Sequence, residues 1–110
     1  MRRHASILLA GLLAAAAGDS GAQAQPSGDL ATRSLAATCA ACHGTDGRAV
    51  SGAGMAGLRG LDRQYLQSQL TAFRDGTRPA TVMHQIAKGY TPEQIDQLAA
   101  YFAALPRLAP

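Results

Sequence analysis

The segment CAACHGTDG, Cys39 to Gly47, contains both cysteines of the chain, three residues apart, with a histidine directly after the second. Three chemistries use a Cys-x-x-Cys pair: a redox-active disulfide, half of a zinc site and, when histidine follows at once, covalent attachment of haem c. Zinc needs four ligands, and the histidines downstream of the leader are His43 and His84. His43, adjacent to Cys42, is poorly placed to close the same tetrahedron. A thioredoxin-like pair belongs at the start of a helix in a βαβ unit, where the helix dipole lowers the thiol pKa. Here the pair falls at a predicted helix end with no strand pattern before it. Haem c suits both the motif and its surroundings. Cysteines about one helical turn apart can each add to a vinyl group on one porphyrin edge, which brings the adjacent histidine beneath the iron as proximal ligand.

A six-coordinate iron takes a second axial ligand from the opposite side of the ring. The candidates are Met55, Met83 and His84. Met55 lies in a glycine-rich stretch with no helix to fix it. Met83 follows Pro79 on a short segment that could cross the far face, and it is the expected ligand; a thioether favours a higher potential than a second imidazole. With Met83 directed inward, its neighbour His84 points elsewhere.

Four helices and a loop must position these groups, and no segment reads as an alternating strand, so the expected fold is all-α. Asp29 is placed to N-cap a helix running to about Cys42, with Leu35, Cys39 and Cys42 on one face and Gly44 at its end. Residues 44–61, GTDGRAVSGAGMAGLRGL, hold six glycines and no sustained period. They read as a loop whose apolar members Val50, Met55, Leu58 and Leu61 cover a surface. A second helix is predicted over 62–75, with Leu66, Leu70 and Phe73 in register for packing and Gly76 beyond it. Residues 81–88 suit a short helix with Met83 and Ile86 on its inner face. The last helix opens on a capping box, Thr91 with Gln94, has Pro92 at its first position, and ends near Leu105 before Pro106.

The chain starts MRRHASILLAGLLAAAAGDSGAQAQ: two arginines, an apolar run from Ile7 to Ala17, then Ala22-Gln23-Ala24. That is the pattern of a secretory signal peptide over 1–24, cleaved before Gln25, and the run is too short to span a bilayer. A domain of 86 residues over 25–110 in the periplasm, with no membrane span, is the expectation. A chain that short has a marginal core, which a large apolar cofactor would complete. Without the leader, eight Lys/Arg face six Asp/Glu. This mild balance gives no support to a nucleic-acid partner, and Arg48, Arg59, Arg63, Arg74, Arg78 and Lys88 read as a solvated surface.

These residues carry a resemblance to the class I cytochromes c. CAACHGTDG resembles their haem attachment segment, LDRQYLQSQLTAFRDGTR their middle helix and its turn, and TPEQIDQLAAYFAAL the final helix that packs on the first. The resemblance implies a small fold of three main helices plus a short methionine-bearing helix around one haem c, with Cys39 and Cys42 as covalent attachments and electron transfer as the function. A narrower likeness lies in TVMHQIAKGYTPEQIDQLAAYF, Thr81 to Phe102, which is similar to the haem subunit of flavocytochrome c sulfide dehydrogenase. That family implies Met83 as the second axial ligand opposite His43, and an FAD-containing sulfide-oxidising subunit as electron donor, with a downstream acceptor such as another cytochrome. Relatives often carry a loop proline whose carbonyl accepts from the proximal imidazole. Val50 to Gly60 has no proline, so another carbonyl there is expected to orient His43. The alternatives are a free periplasmic electron carrier and, with less support, a haem enzyme or gas sensor with an open iron position. The last would need Met83 off the iron, and no distal acid–base pair is visible for it.

Overall fold

The computed structural model of the chain describes residues 28–108; the predicted leader and its cleavage site lie outside them. Among the described residues there are helices and no strands, in the order α1 (Leu30–Ala37), α2 (Ala40–His43), a 3₁₀ turn (Thr45–Gly47), α3 (Arg63–Asp75), α4 (Met83–Ala87) and α5 (Pro92–Ala104).

The helix starts follow local chemistry. Asp29 accepts from the Thr32 amide at 2.8 Å, and Asp62 accepts from the Tyr65 amide at 2.9 Å. At α5 the Thr91 hydroxyl accepts from the Gln94 amide at 3.1 Å, and the Gln94 side chain accepts from the Thr91 amide at 2.9 Å. Each contact satisfies an amide that the helix geometry leaves without a partner. Gly44 terminates α2 and Gly76 terminates α3, both with positive φ.

One boundary differs from the sequence reading. The first helix does not run unbroken to Cys42 but tightens at Thr38 and Cys39, separating α1 from α2. The Thr38 amide donates to the Leu35 carbonyl at 3.2 Å and the Cys39 amide to the Ala36 carbonyl at 3.1 Å, one residue short of α-helical spacing. The Thr38 hydroxyl donates to the same Leu35 carbonyl at 2.7 Å, a side-chain bond that competes with the α-helical ladder. Thr38 and Cys39 keep right-handed helical dihedrals, so both cysteines directly follow α1.

α5 is the centre of the packing: α1 and α3 both lie against it, and α4 lies against α3. The core joins Ala36 of α1, Leu66 of α3 and Leu98, Ala99, Tyr101 and Phe102 of α5, closed by Leu105. Tyr101 and Phe102 meet edge to face, with ring centroids 5.2 Å apart. Leu98 and Ala99 are essentially inaccessible to solvent, yet both also face a large cleft. The apolar face of α5 is therefore divided between helix packing and the wall of that cleft.

Candidate functional site: an apolar cleft at the Cys-x-x-Cys-His turn

A cleft of about 530 Å³ opens between the attachment turn, the glycine loop, α3, α4 and α5, a size in the range of cofactor pockets, roughly 300–1,000 Å³. Cys39, Cys42, His43 and Met83 all line it. These four come from two regions forty residues apart in sequence. Cys39 is half-buried and Cys42 exposed, and both thiols are free. Burial pushes the Cys39 thiol above its ordinary range, opposed by the Thr38 and Tyr90 side chains.

His43 is the last residue of α2. Its Nδ1 lies 2.7 Å from the Ala56 carbonyl, so the ring donates from Nδ1, and Nε2 is the nitrogen left for a ligand. The expected orienting carbonyl in 50–60 is thus that of Ala56. Its position depends on the loop's anchorage: the Leu58 amide donates to the Gly47 carbonyl at 2.9 Å, and the Gly60 amide to the Phe102 carbonyl at 2.8 Å. Of the loop's apolar residues, Met55, Leu58 and Leu61 line the cleft, while Val50 is exposed and does not.

Met83 is the first residue of α4, half-buried, with its side chain on the cleft wall. Met55 also lines the cleft but is 48% exposed, and it adjoins Ala56, the residue that holds His43. It therefore belongs to the histidine's side of the site. His84 does not line the cleft, and its Nδ1 is buried without a hydrogen-bond partner among the described residues.

Several features of the site are absent from the sequence reading. The α3 face assigned to packing alone also walls the cleft, through Leu66, Leu70 and Phe73. Arg59, read as a solvated surface residue, has a side chain only 12% exposed. It donates from Nε to the Pro106 carbonyl at 2.8 Å and lies 3.9 Å from Asp46. Asp46, at φ 54° in the 3₁₀ turn, accepts from the Tyr101 hydroxyl at 3.0 Å. This network ties the turn after His43 to the final helix and the segment that follows it.

A flat, apolar macrocycle suits such a wall: aliphatic and aromatic faces, two thiols at one side, an oriented imidazole, and a thioether across the chain from it. No described helix is long and apolar enough to cross a membrane. Comparison with known proteins agrees. The Cytochrome c family model matches residues 30–106. The chain is 41% identical over 73 residues to the cytochrome subunit of sulfide dehydrogenase from Chlorobaculum tepidum, covering 66% of this chain and 64% of that one. It is 40% identical over 105 residues to the thiosulfate dehydrogenase electron acceptor of Thiomonas intermedia, covering 96% of this chain and 45% of that one. Among solved structures, Acidithiobacillus ferrooxidans cytochrome c4 superposes with a TM-score of 0.60 at 32% identity, over 72% of this chain and 52% of that one. The chain thus spans between about half and two thirds of the length of these relatives. A match that runs from the first helix to the end of the last, over a fold already solved in a cytochrome, places this chain in the cytochrome c family, and its Cys39-x-x-Cys42-His43 pattern indicates one covalently bound haem c.

Proposed function

We propose that this protein is the electron-transfer subunit of a sulfide-oxidising flavoprotein, taking electrons from an FAD-containing subunit and passing them to a downstream acceptor such as another cytochrome. The observation that carries the reading is the 41% identity to a sulfide dehydrogenase cytochrome subunit, joined to a cleft lined by Cys39, Cys42, His43 and Met83 together. Haem supplies one-electron chemistry at iron, and the chain's residues hold and tune it.

In this reading Cys39 and Cys42 form the thioether links. His43 would hold the iron through Nε2, made more basic by the hydrogen bond that Nδ1 donates to the Ala56 carbonyl. Met83, on the same cleft, would hold the iron together with His43. The apolar wall of Leu66, Leu70, Phe73, Leu98 and Phe102 would keep water from the cofactor and disfavour the extra positive charge of its oxidised form, which would favour a high potential. Cys42, Met55, Val82 and Ile86 are exposed at the cleft, and electrons would pass to a partner at this side. Export to the periplasm with removal of residues 1–24 follows from the leader pattern.

The test is an absorption spectrum and subunit count on tagged protein purified gently from its own host. Haem c with flavin absorption and a second, larger chain supports the proposal. Haem c with no larger chain replaces it with a free carrier, and a co-purifying thiosulfate-oxidising chain without flavin replaces the donor.

A further inference from the structure

The Ala56 carbonyl beside the His43 ring belongs to a segment with little stiffness of its own. Residues 50–60 hold four glycines and no proline, so their residue types do little to fix the backbone. Among the described residues, the backbone amide bonds that tie this segment to other parts of the fold come from its far end. The Leu58 and Arg59 amides donate to the Gly47 carbonyl at 2.9 and 3.3 Å, and the Gly60 amide to the Phe102 carbonyl at 2.8 Å.

That far end is clamped in turn by the segment after α5. The Arg59 side chain, 12% exposed, donates from Nε to the Pro106 carbonyl at 2.8 Å. Arg107 donates from Nε to the Gly60 carbonyl at 3.3 Å in the opposite direction. The two backbones meet directly: Gly60 has φ 69°, and a Cβ there would lie 2.7 Å from the Arg107 nitrogen and Cα, an approach that only glycine permits. Arg59 does not line the cleft. Its guanidinium lies instead 3.9 Å from Asp46 in the turn after His43. One side chain thus joins the tail after α5 to that turn, three residues along the chain from the carbonyl that orients the histidine. A guanidinium bond to a carbonyl is charge-assisted and stronger than the amide bonds beside it.

We propose that Arg59 is a positioning residue for the His43 imidazole: together with Arg107 it clamps the loop to the segment after α5 and so fixes the Ala56 carbonyl. The proposal rests on the haem c reading of the cleft, in which His43 would hold the iron. Residues beyond the last helix then act on the site without touching it, because an imidazole held against a carbonyl is the more basic ligand.

The experiment uses full-chain cytochrome matured in a host that attaches haem c, as wild type, Arg59→Gln, Arg107→Gln and Arg63→Gln. Arg63 is the control: it pairs with Asp96 at 2.7 Å between α3 and α5 and takes no part in the clamp. In the ferrous, diamagnetic proteins, NMR reads the exchange with solvent of the His43 Nδ1 proton and of the Leu98 amide in the core. The ratio of the two rates isolates loosening at the histidine from a general loss of stability, which speeds both. Arg59→Gln should raise this ratio about tenfold or more, Arg107→Gln should raise it by a smaller factor, and Arg63→Gln should leave it unchanged. A ratio in Arg59→Gln equal to wild type, or an equal rise in Arg63→Gln, overturns the proposal. If Arg59→Gln attaches no haem, Arg107→Gln decides, since its side chain is exposed; a ratio equal to wild type there overturns the proposal as well. A wild-type chain without covalent haem, or with His43 ring protons lacking the upfield ring-current shift of an axial ligand, would instead overturn the reading of the site itself.

Discussion

Gly44 separates His43 from the 3₁₀ turn with φ 79° and ψ 159°, a region of backbone space that is essentially glycine's alone. A Cβ at this position would lie 1.8 Å from the Arg48 carbonyl oxygen and 2.8 Å from its carbon. Gly76, at the end of α3, is an internal control: φ is 76° and ψ 11°, and an added Cβ there meets nothing within 4 Å. Gly76→Ala therefore carries only the left-handed backbone cost, about 1–2 kcal/mol. Gly44→Ala carries about 1–3 kcal/mol of backbone strain and must also open the overlap with Arg48. Forced repacking of that kind adds about 1–3 kcal/mol, for a total of about 2–6 kcal/mol. For a domain of this size each kcal/mol shifts Tm by about 4–8 °C, so Gly44→Ala should lose at least about 8 °C in a thermal melt of the ferric holoprotein. The backbone shift also moves His43 off the Ala56 carbonyl, so the yield of covalent haem falls. A Gly44→Ala protein melting at or above Gly76→Ala would refute this reasoning, because Gly44 carries at least as large a backbone penalty and adds the contact.

Three further perturbations test separate links. Met83→Ala should lower the midpoint potential by on the order of 100 mV and open the iron to carbon monoxide, with the haem still attached; an unchanged potential ends the axial assignment. Leu98→Ala removes a side chain only 1% exposed and should cost about 2–5 kcal/mol in denaturant unfolding, a loss under 1 kcal/mol being inconsistent with its burial. Burial, then the hydrogen bond to Asp46 and its negative charge, raise the Tyr101 hydroxyl above its ordinary value of 10. A raised folded-state pKa contributes stability that is fully present below pH 10 and lost as pH rises through the folded value. Tyr101→Phe should therefore lose about 1 kcal/mol at pH 7 and close the gap to wild type at alkaline pH. A gap that stays constant from pH 7 to 11 would show that the Tyr101 proton is not coupled to folding.

Much of the fold is legible in the sequence because it is built from short-range chemistry. Asp29, Asp62 and Thr91 each bond an amide three residues ahead, and Gly44 and Gly76 end helices through their own backbone freedom. The Cys39-x-x-Cys42-His43 spacing likewise names its cofactor within five residues. Even the split at Thr38 is local, but a threonine hydroxyl can point outward or bond back to Leu35, and the sequence does not say which.

The rest depends on contacts that close only when the chain folds. The carbonyl that orients His43 is thirteen residues away in a loop with no proline to mark it. Arg59 reaches Pro106 across 47 residues, and Tyr101 reaches Asp46 across 55, so neither partner is visible in a local window. α3 shows the same limit: an apolar stripe of Leu66, Leu70 and Phe73 looks alike whether it faces another helix or a cofactor, since burial rewards either. By itself the sequence determined the chemistry of the attachment turn, the helical class and the helix ends, all of which depend on residue type and spacing. Only the tertiary structure decided which carbonyl holds the histidine, which arginine reaches across to Pro106, and that Met83 shares a wall with Cys39 and Cys42, because those are distances between parts of the chain that packing alone brings together.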